Sequence, residues 1–200
     1  MTPPPPITGL ILAGGMGSRM GGLDKGLLEW QGRPLVEHLL LALRPQVTTV
    51  LINANRNLER YQAYGLPVVS DALTGFQGPL AGLFAGMEAA TTPYILTVPC
   101  DAPRIANDMA ERLWQALQAA PAELAVAHDG ERLQPVHALI PVRLLPSLRA
   151  FLAQGDRKLV LWYTQHRMAT ADFSDKASLF RNINTPAEQQ ALEQEATYNP

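Results

Sequence analysis

The sequence lacks the features that would indicate a disulfide-linked, membrane-spanning or nucleic-acid-binding protein. It has one cysteine, Cys100, which excludes an internal disulfide and suits a reducing cytoplasm. No apolar run reaches the ~18 residues of a transmembrane helix, and the first residues do not resemble a signal peptide, so we expect a cytoplasmic protein without a membrane anchor. Charged residues are scarce (17%), the net charge is −2 and no basic run occurs. We therefore expect no binding to nucleic acid.

What the sequence does contain is typical of one folded α/β domain. Apolar residues make up 47% of the 200 residues, which is enough to build a hydrophobic core. No internal repeat or linker is visible, so we predict a single domain over residues 1–200. The size and charge are compatible with a monomer.

In the first 121 residues, strand and helix patterns alternate along the chain. Such βαβα alternation predicts a three-layer, Rossmann-like α/β fold, with a mostly parallel sheet and helices on both faces. The predicted strands cover 7–12, 47–52, 67–70 and 94–98. The predicted helices cover 35–43, 57–64, 80–90 and 107–119, the last with Asn107 as its N-cap.

The second half of the chain follows a different pattern. Two apolar segments, 124–128 and 135–140, flank the turn signal Asp129-Gly130, and this arrangement predicts an antiparallel hairpin. We then expect a helix over 142–153, a short helix ending near His166, a strand over 168–173 and a terminal helix over 186–196.

A glycine-rich, basic loop directly follows the first predicted strand. Five glycines lie between positions 14 and 22, and the loop carries Arg19 and ends near Lys25. Glycines allow backbone N–H groups to approach a phosphate closely, and the two cations would neutralise a triphosphate. The letters match neither the P-loop pattern nor the dinucleotide fingerprint, whose third glycine would fall on Met20. The loop predicts a nucleotide-binding site of another kind.

Polar residues also follow the other parallel strands, and these strand ends meet at one edge of the sheet. Asn53 follows the second strand, Asp71 the third and Asp101 the fourth. Ligands of parallel sheets bind at this edge. Asp101 is the natural ligand for Mg²⁺, which would separate the carboxylate from the phosphates, although it could instead cap a helix. Asn53 and Asp71 could each bind a base or ribose, or cap a helix.

Several other polar residues leave two interpretations open. Arg157 and Lys158 could bind a second anionic substrate or lie in solvent. Asn182 and Asn184 share one side of an extended segment and could reach the metal region or cap the terminal helix. The four histidines lack metal-ligand spacing, and we expect His128 and His137 to face solvent rather than a substrate. Cys100 is interpreted as a small buried apolar residue and not as a nucleophile.

This set of residues fits a direct displacement at phosphorus. A phosphate oxygen of an acceptor would attack the α-phosphorus of a nucleoside triphosphate, and pyrophosphate would leave. Lys25, Arg19 and a Mg²⁺ ion on Asp101 would neutralise the charge on the phosphoryl oxygens. An acceptor phosphate is already ionised at neutral pH, so this reaction requires no strong general base.

The glycine loop resembles the loop of the nucleotidyltransferases that attach NMP units to small phosphorylated molecules. From Ile7 to about Ala191, the chain is most similar to the molybdenum cofactor guanylyltransferases of that superfamily. The motifs that carry this resemblance are Leu12 to Lys25, Asn53-Ala54-Asn55-Arg56, Gly78-Pro79-Leu80-Ala81-Gly82, Pro99-Cys100-Asp101 and Asn182-Ile183-Asn184-Thr185-Pro186. One departure is Met16-Gly17-Ser18, where basic or other residues can occur in relatives, so Arg19 and Lys25 carry the charge of the loop alone.

The resemblance implies transfer of GMP from GTP to molybdenum-bound molybdopterin. It implies that residues 7–121 bind the nucleotide and residues 122–200 the molybdopterin, and that other proteins of molybdenum cofactor biosynthesis or delivery are partners. It further implies Mg²⁺ on Asp101 and roles in the reaction for Lys25, Arg19 and Asp101. The implied nucleotide-binding residues are Leu12, Ala13, Gly14, Gly15, Lys25, Asn53, Asp71 and Asp101.

Two alternatives remain at this point. One is a related enzyme that uses CTP, on molybdopterin or on another phosphorylated acceptor, since base choice depends on a few hydrogen bonds in the pocket. The other is a carrier that binds a nucleotide or cofactor without catalysis. Magnesium dependence separates the last alternative from the enzymes, because a carrier does not require a metal carboxylate.

Overall fold

The computed structural model describes residues 2–15, 23–71 and 78–198, and its centre is a seven-stranded mixed sheet. The strands of this sheet are β1 (Ile7–Leu12), β4 (Thr49–Asn53), β5 (Val68–Val69), β6 (Tyr94–Pro99), β7 (Leu124–His128), β8 (Leu133–Pro141) and β9 (Met168–Asp172). Their order in the sheet is β5-β4-β1-β6-β8-β7-β9. Four neighbouring strands, β5, β4, β1 and β6, are parallel, whereas β8 pairs antiparallel with both β6 and β7.

Helices cover both faces of the sheet, so the predicted three-layer α/β fold is confirmed. Helices α1 (Leu35–Leu43) and α4 (Met109–Ala119) pack on one face, and α3 (Pro79–Ala89), α5 (Leu145–Ala153) and α6 (Leu159–Tyr163) on the other. The remaining helices are α2 (Leu58–Gln62) and α7 (Pro186–Tyr198). None of the described helices is both long and apolar enough to cross a membrane.

Most of the predicted elements form, including the hairpin of β7 and β8. The sequence did not predict a short hairpin of β2 (Glu29–Trp30) and β3 (Arg33–Pro34), because two-residue strands carry no periodicity. Its Trp30 packs with Leu35, Ile183 and Leu192 in a small separate core. This core connects the hairpin and the start of α1 to α7 and the segment that precedes it.

The expected N-cap of α4 is wrong. The helix begins at Met109 with Asp108 in the cap position, instead of Asn107. The Asp108 carboxylate does not bind the end of the helix backbone but accepts hydrogen bonds from Lys176 and Arg112. Attraction between opposite charges thus replaces the capping interaction.

The order of the strands places a ligand crevice at the end of β1. From β1 the chain continues to β4 and β5 on one side and to β6 on the other, so the strand order reverses at β1. Crevices at such reversal points, outside the carboxyl ends of the strands, are the usual ligand sites of open α/β sheets.

Candidate active site

A cavity of about 700 Å³ opens at this reversal point. This volume lies within the range of small-molecule sites. The predicted nucleotide-binding residues that the structure describes all line it, namely Leu12, Ala13, Gly14, Gly15, Lys25, Asn53, Asp71 and Asp101. Arg19 belongs to residues 16–22 and lies outside the described residues. The structure therefore brings together side chains that are far apart in the sequence.

Lys25 and Asp101 form the charged centre of the cavity. The Lys25 Nζ donates to Asp101 Oδ2 at 2.9 Å and to Asn184 Oδ1 at 2.6 Å. The side chains of Lys25 and Asp101 are each 19% exposed, so both remain accessible from the cavity. An ammonium group has three donors, and these two contacts leave one for a ligand oxygen.

The segment that precedes α7 places Asn184 beside this pair. The Ile183 N–H donates to the carbonyl of Asp101 at 2.7 Å, and the Ile183 side chain is buried. Asn184 thus lies at the charged centre rather than at a helix cap. Thr185 performs the capping, since its Oγ1 accepts a hydrogen bond from the Glu188 N–H at 3.2 Å. Asn182 also lines the cavity.

Asp71 lies on the other side of the cavity, between two asparagines. Its Oδ1 accepts from Asn53 Nδ2 and its Oδ2 from Asn55 Nδ2, both at 2.8 Å. The Asp71 N–H in turn donates to Asn55 Oδ1 at 2.9 Å. Because both amides are occupied in this way, the carboxylate has a fixed orientation. Asn55 was not singled out as a site residue, although its spacing of two from Asn53 could have indicated it.

Close packing explains the glycine at position 14. A Cβ there would come within 2.7 Å of Asn55 Nδ2 and 2.9 Å of Asn53 Oδ1, so any other residue would displace these two amides. A Cβ on Gly15 would meet nothing within 4 Å. Gly14 therefore leaves room for the two asparagine amides that bind Asp71, in addition to the approach of a phosphate expected from the sequence.

Strand β8 forms the opposite wall of the cavity, and here the prediction for His137 is wrong. His137 does not face solvent but is only 2% exposed, and its ring packs edge-on against Phe180 at 4.9 Å. Neither ring nitrogen has a hydrogen-bond partner among the described residues. Burial lowers the pKa of His137 to about 3, so the ring is neutral at physiological pH.

Cys100 is buried, as predicted. Burial, together with the nearby carboxylate of Asp101, raises the pKa of its thiol well above the usual range. The raised pKa keeps the thiol protonated at neutral pH, which agrees with the interpretation of Cys100 as a small buried apolar residue. Arg157 points back to its own segment, where its Nη1 donates to the carbonyls of Leu152 at 2.8 Å and Asp156 at 2.7 Å.

The side-chain oxygens of Asp101 and Asn184, which lie next to Lys25, suit a Mg²⁺ ion better than a transition metal. The described residues contain no group of three or more histidine, cysteine or acidic side chains that could hold a metal. Mg²⁺ does not need such a cluster, since it is commonly held by one or two carboxylates together with substrate phosphates. The Asp101 carboxylate and the amide oxygen of Asn184 are hard oxygen donors on one side of the cavity.

Comparison with known proteins identifies the class of enzyme. A family model described as the MobA-like NTP transferase domain matches residues 9–169. The fold is also that of solved nucleotidyltransferase structures. Molybdopterin-guanine dinucleotide biosynthesis protein A from Archaeoglobus fulgidus has a TM-score of 0.78 at 19% identity, with 96% of this chain and 99% of that chain covered. The 4-diphosphocytidyl-2C-methyl-D-erythritol synthase from Anaerococcus prevotii has a TM-score of 0.77 at 12% identity, with 96% of both chains covered. The chain is a nucleotidyltransferase.

Curated relatives identify the family within this class. The molybdenum cofactor guanylyltransferase of Shewanella sp. (strain MR-4) is 50% identical over 186 residues, which cover 93% of this chain and 94% of that protein. The enzyme of the same name from Shewanella halifaxensis is 47% identical, with 93% of each chain covered. The chain belongs to the molybdenum cofactor guanylyltransferase family, and the resemblance seen in the sequence is confirmed.

Proposed function

We propose that this protein transfers GMP from GTP to molybdenum-bound molybdopterin and releases pyrophosphate. Family membership supports this reaction, and the observation that carries it is the meeting of Lys25, Asp101 and Asn184 in one cavity with the start of the glycine loop. That arrangement offers a cation to the phosphates of a nucleotide, and a carboxylate and an amide oxygen to a Mg²⁺ ion bound to those phosphates.

The reaction requires a displacement at the α-phosphorus of GTP. An oxygen of the molybdopterin phosphate forms the new bond to this phosphorus, and the bond to the β-phosphate bridging oxygen breaks. The electron pair of that bond leaves with pyrophosphate. The attacking phosphate is already ionised near neutral pH, so the protein does not have to remove a proton from it.

Lys25 would bind the triphosphate through the ammonium donor that Asp101 and Asn184 leave available. As a compact charge it would neutralise the oxygens on which negative charge increases during the transfer. Arg19 would add a second cation. Asp71, held by Asn53 and Asn55, would accept hydrogen bonds from the nucleoside.

A Mg²⁺ ion would be held by Asp101, with Asn184 as a second oxygen donor. When bound, the ion supplies neutralisation of charge on the phosphoryl oxygens. The ammonium of Lys25 contacts both of these oxygens, so the cation of the protein and the proposed metal ligands lie at the same place in the cavity.

We assign residues 7–121 to the nucleotide and residues 122–200 to molybdopterin. The cavity supports this division, since β1, β4 and β6 form one wall and β8, from the second half, forms the other.

We further propose that the protein acts in the cytoplasm, in agreement with its single free cysteine. We propose that it acts there as a monomer and exchanges molybdopterin with other proteins of cofactor biosynthesis or delivery.

The test is pyrophosphate release with each of the four nucleoside triphosphates, Mg²⁺ and the molybdopterin acceptor. Turnover with GTP alone supports the proposal. Turnover with CTP would keep the reaction and overturn the choice of base. GTP binding without turnover, at any magnesium concentration, would indicate a carrier and overturn the proposed activity.

A further inference from the structure

Arg56 contacts the backbone on both sides of the glycine loop. Its Nη2 donates to the carbonyl of Gly15 at 3.1 Å and to that of Leu23 at 2.8 Å. Gly15 precedes residues 16–22, and Leu23 follows them. A single guanidinium group from the segment after β4 therefore joins the two ends of the loop that carries Arg19.

The buried carboxylate of Asp24 lies beside the guanidinium group of Arg56 and helps to hold the end of the loop at Leu23. Asp24 is 8% exposed, and a buried carboxylate is costly unless donors surround it. Tyr61 Oη donates to its Oδ1 at 2.6 Å, Asn57 Nδ2 donates to its Oδ2 at 2.9 Å, and Arg56 Nε lies 3.8 Å from Oδ2. Burial, reinforced by the hydrogen bond to Asp24, raises the pKa of Tyr61 far above its usual range, so the hydroxyl remains a donor.

Lys25 follows Asp24 directly, so the contacts of Asp24 also affect the position of Lys25. The Leu27 N–H donates to the carbonyl of Asp24 at 3.1 Å, which begins a single 3₁₀ turn over Lys25–Leu27. The contacts that fix Asp24 therefore also fix the backbone of Lys25. The Lys25 ammonium then reaches Asp101 and Asn184 across the cavity.

From these contacts we infer that Arg56 is a positioning residue for nucleotidyl transfer. It holds the two ends of the glycine loop at a fixed separation and, together with Asp24, sets the position of Lys25 against the triphosphate. This inference rests on the proposed function. Arg56 suits the task because its planar group donates in fixed directions to several acceptors, whereas a lysine supplies one mobile point charge.

Three variants test this role: Arg56→Ala, Arg56→Lys and the control Arg60→Ala. Arg60 is an exposed arginine on α2, so its replacement removes the same charge without touching the loop. For Arg56→Ala we expect kcat to fall about 10- to 100-fold, the usual cost of a misplacement on the order of 1 Å. The fall in kcat should exceed the rise in KM for GTP, because Arg56 acts through Lys25.

Three further measurements separate positioning from a general effect on folding. Millimolar guanidinium should restore part of the activity of Arg56→Ala and leave Arg60→Ala unchanged. Arg56→Lys should not recover the wild-type kcat, although it keeps the charge. Hydrogen exchange should accelerate at the backbone amides of residues 14–15 and 23–25 in Arg56→Ala. If that variant does not fold, Arg56→Gln replaces it under the same criteria.

Wild-type kcat in Arg56→Ala, full recovery in Arg56→Lys, or unchanged exchange around the loop would each overturn the inference. If the wild-type protein itself gives no turnover with GTP, the proposed function fails. The exchange measurement still tests the connection made by Arg56 in that case, so the two failures are distinguishable.

Discussion

The two walls of the cavity differ in how their polar groups are hydrogen-bonded. On the nucleotide wall, Lys25, Asp71 and Asp101 each have side-chain partners at 2.6–2.9 Å, so the polar groups are oriented before a ligand arrives. On the β8 wall, the most buried polar group is His137, which has no hydrogen-bond partner in the described part of the chain. The contrast teaches that a fixed polar network forms the wall that we propose for the polyphosphate, whereas strand packing encloses His137 in the wall that we propose for the second substrate.

Removal of the carboxylate of Asp101 should have the largest effect on the nucleotide wall. We expect Asp101→Ala to lower kcat by a factor on the order of 10²–10³ or more, because the acceptor of Lys25 and the expected magnesium ligand are both lost. The measurement is the rate of pyrophosphate release over a magnesium titration, with circular dichroism to verify the fold. Near-normal activity with Mg²⁺ would remove Asp101 from the metal site.

Removal of the ammonium of Lys25 should have the next largest effect. Lys25→Ala should weaken GTP binding and lower kcat by about 10- to 100-fold, since a charge opposite the phosphates is lost. Calorimetric GTP binding and initial rates measure the two effects separately. The matched control is Lys158→Ala, an exposed lysine whose loss should leave GTP affinity unchanged. Unchanged affinity and kcat in Lys25→Ala would exclude Lys25 from the site.

His137 should affect the acid stability of the protein more than its affinity for GTP. Its pKa is about 3 in the folded protein and about 6.5 in the unfolded chain. Between these values the unfolded chain binds the extra proton, so the free energy of unfolding falls as the pH drops below about 6.5, by at most ~1.4 kcal/mol per pH unit. His137→Leu should remove this contribution, which denaturant titrations at several pH values would reveal.

The control for that experiment is His128→Asn, which removes a histidine that is only partly buried. An unchanged slope in His137→Leu would contradict the neutral, buried state of the ring. A large loss of transfer activity in His137→Leu, with GTP affinity preserved, would show that the β8 wall also depends on a polar contact. The distinction between the two walls would then fail.

Cys100 should have the smallest effect, although it adjoins Asp101. Its thiol is buried and protonated, so Cys100→Ala should change kcat by no more than about twofold. The small cavity left behind should lower the free energy of unfolding by about 1 kcal/mol. Thermal unfolding and initial rates measure both quantities. A loss of activity comparable to that of Lys25→Ala would require a chemical role for the thiol.

Strand ends were the most reliable source of prediction in this sequence. The β-branched runs before Asn53 and Asp101 predicted buried strands, and parallel strands must bring their carboxyl ends to one edge. The structure accordingly places the described members of the predicted nucleotide site around one cavity. Their roles in binding and catalysis stay predictions until the variants are measured.

Prediction failed or stayed open where a residue's role depends on a distant partner. Asn184 is 159 positions from Lys25, so spacing could not decide between a helix cap and the charged centre. Asn55 was missed because its contacts to Gly14 and Asp71 form only once β4 is paired with β1 and β5. Asp108 displaced Asn107 at the start of α4 since Lys176 lies nearby only in the folded chain.

The sequence by itself determined the elements and the chemistry available: buried parallel strands, a basic glycine loop after the first strand, and carboxylates at the strand ends. Hydrophobic periodicity and backbone preferences act over a few residues and can be read locally. The tertiary structure decided which of these groups meet. It placed Lys25 between Asp101 and Asn184, enclosed His137 behind Phe180 and brought Arg56 to both ends of the loop. Hydrogen bonds act over about 3 Å, so such pairings exist only after the sheet has assembled.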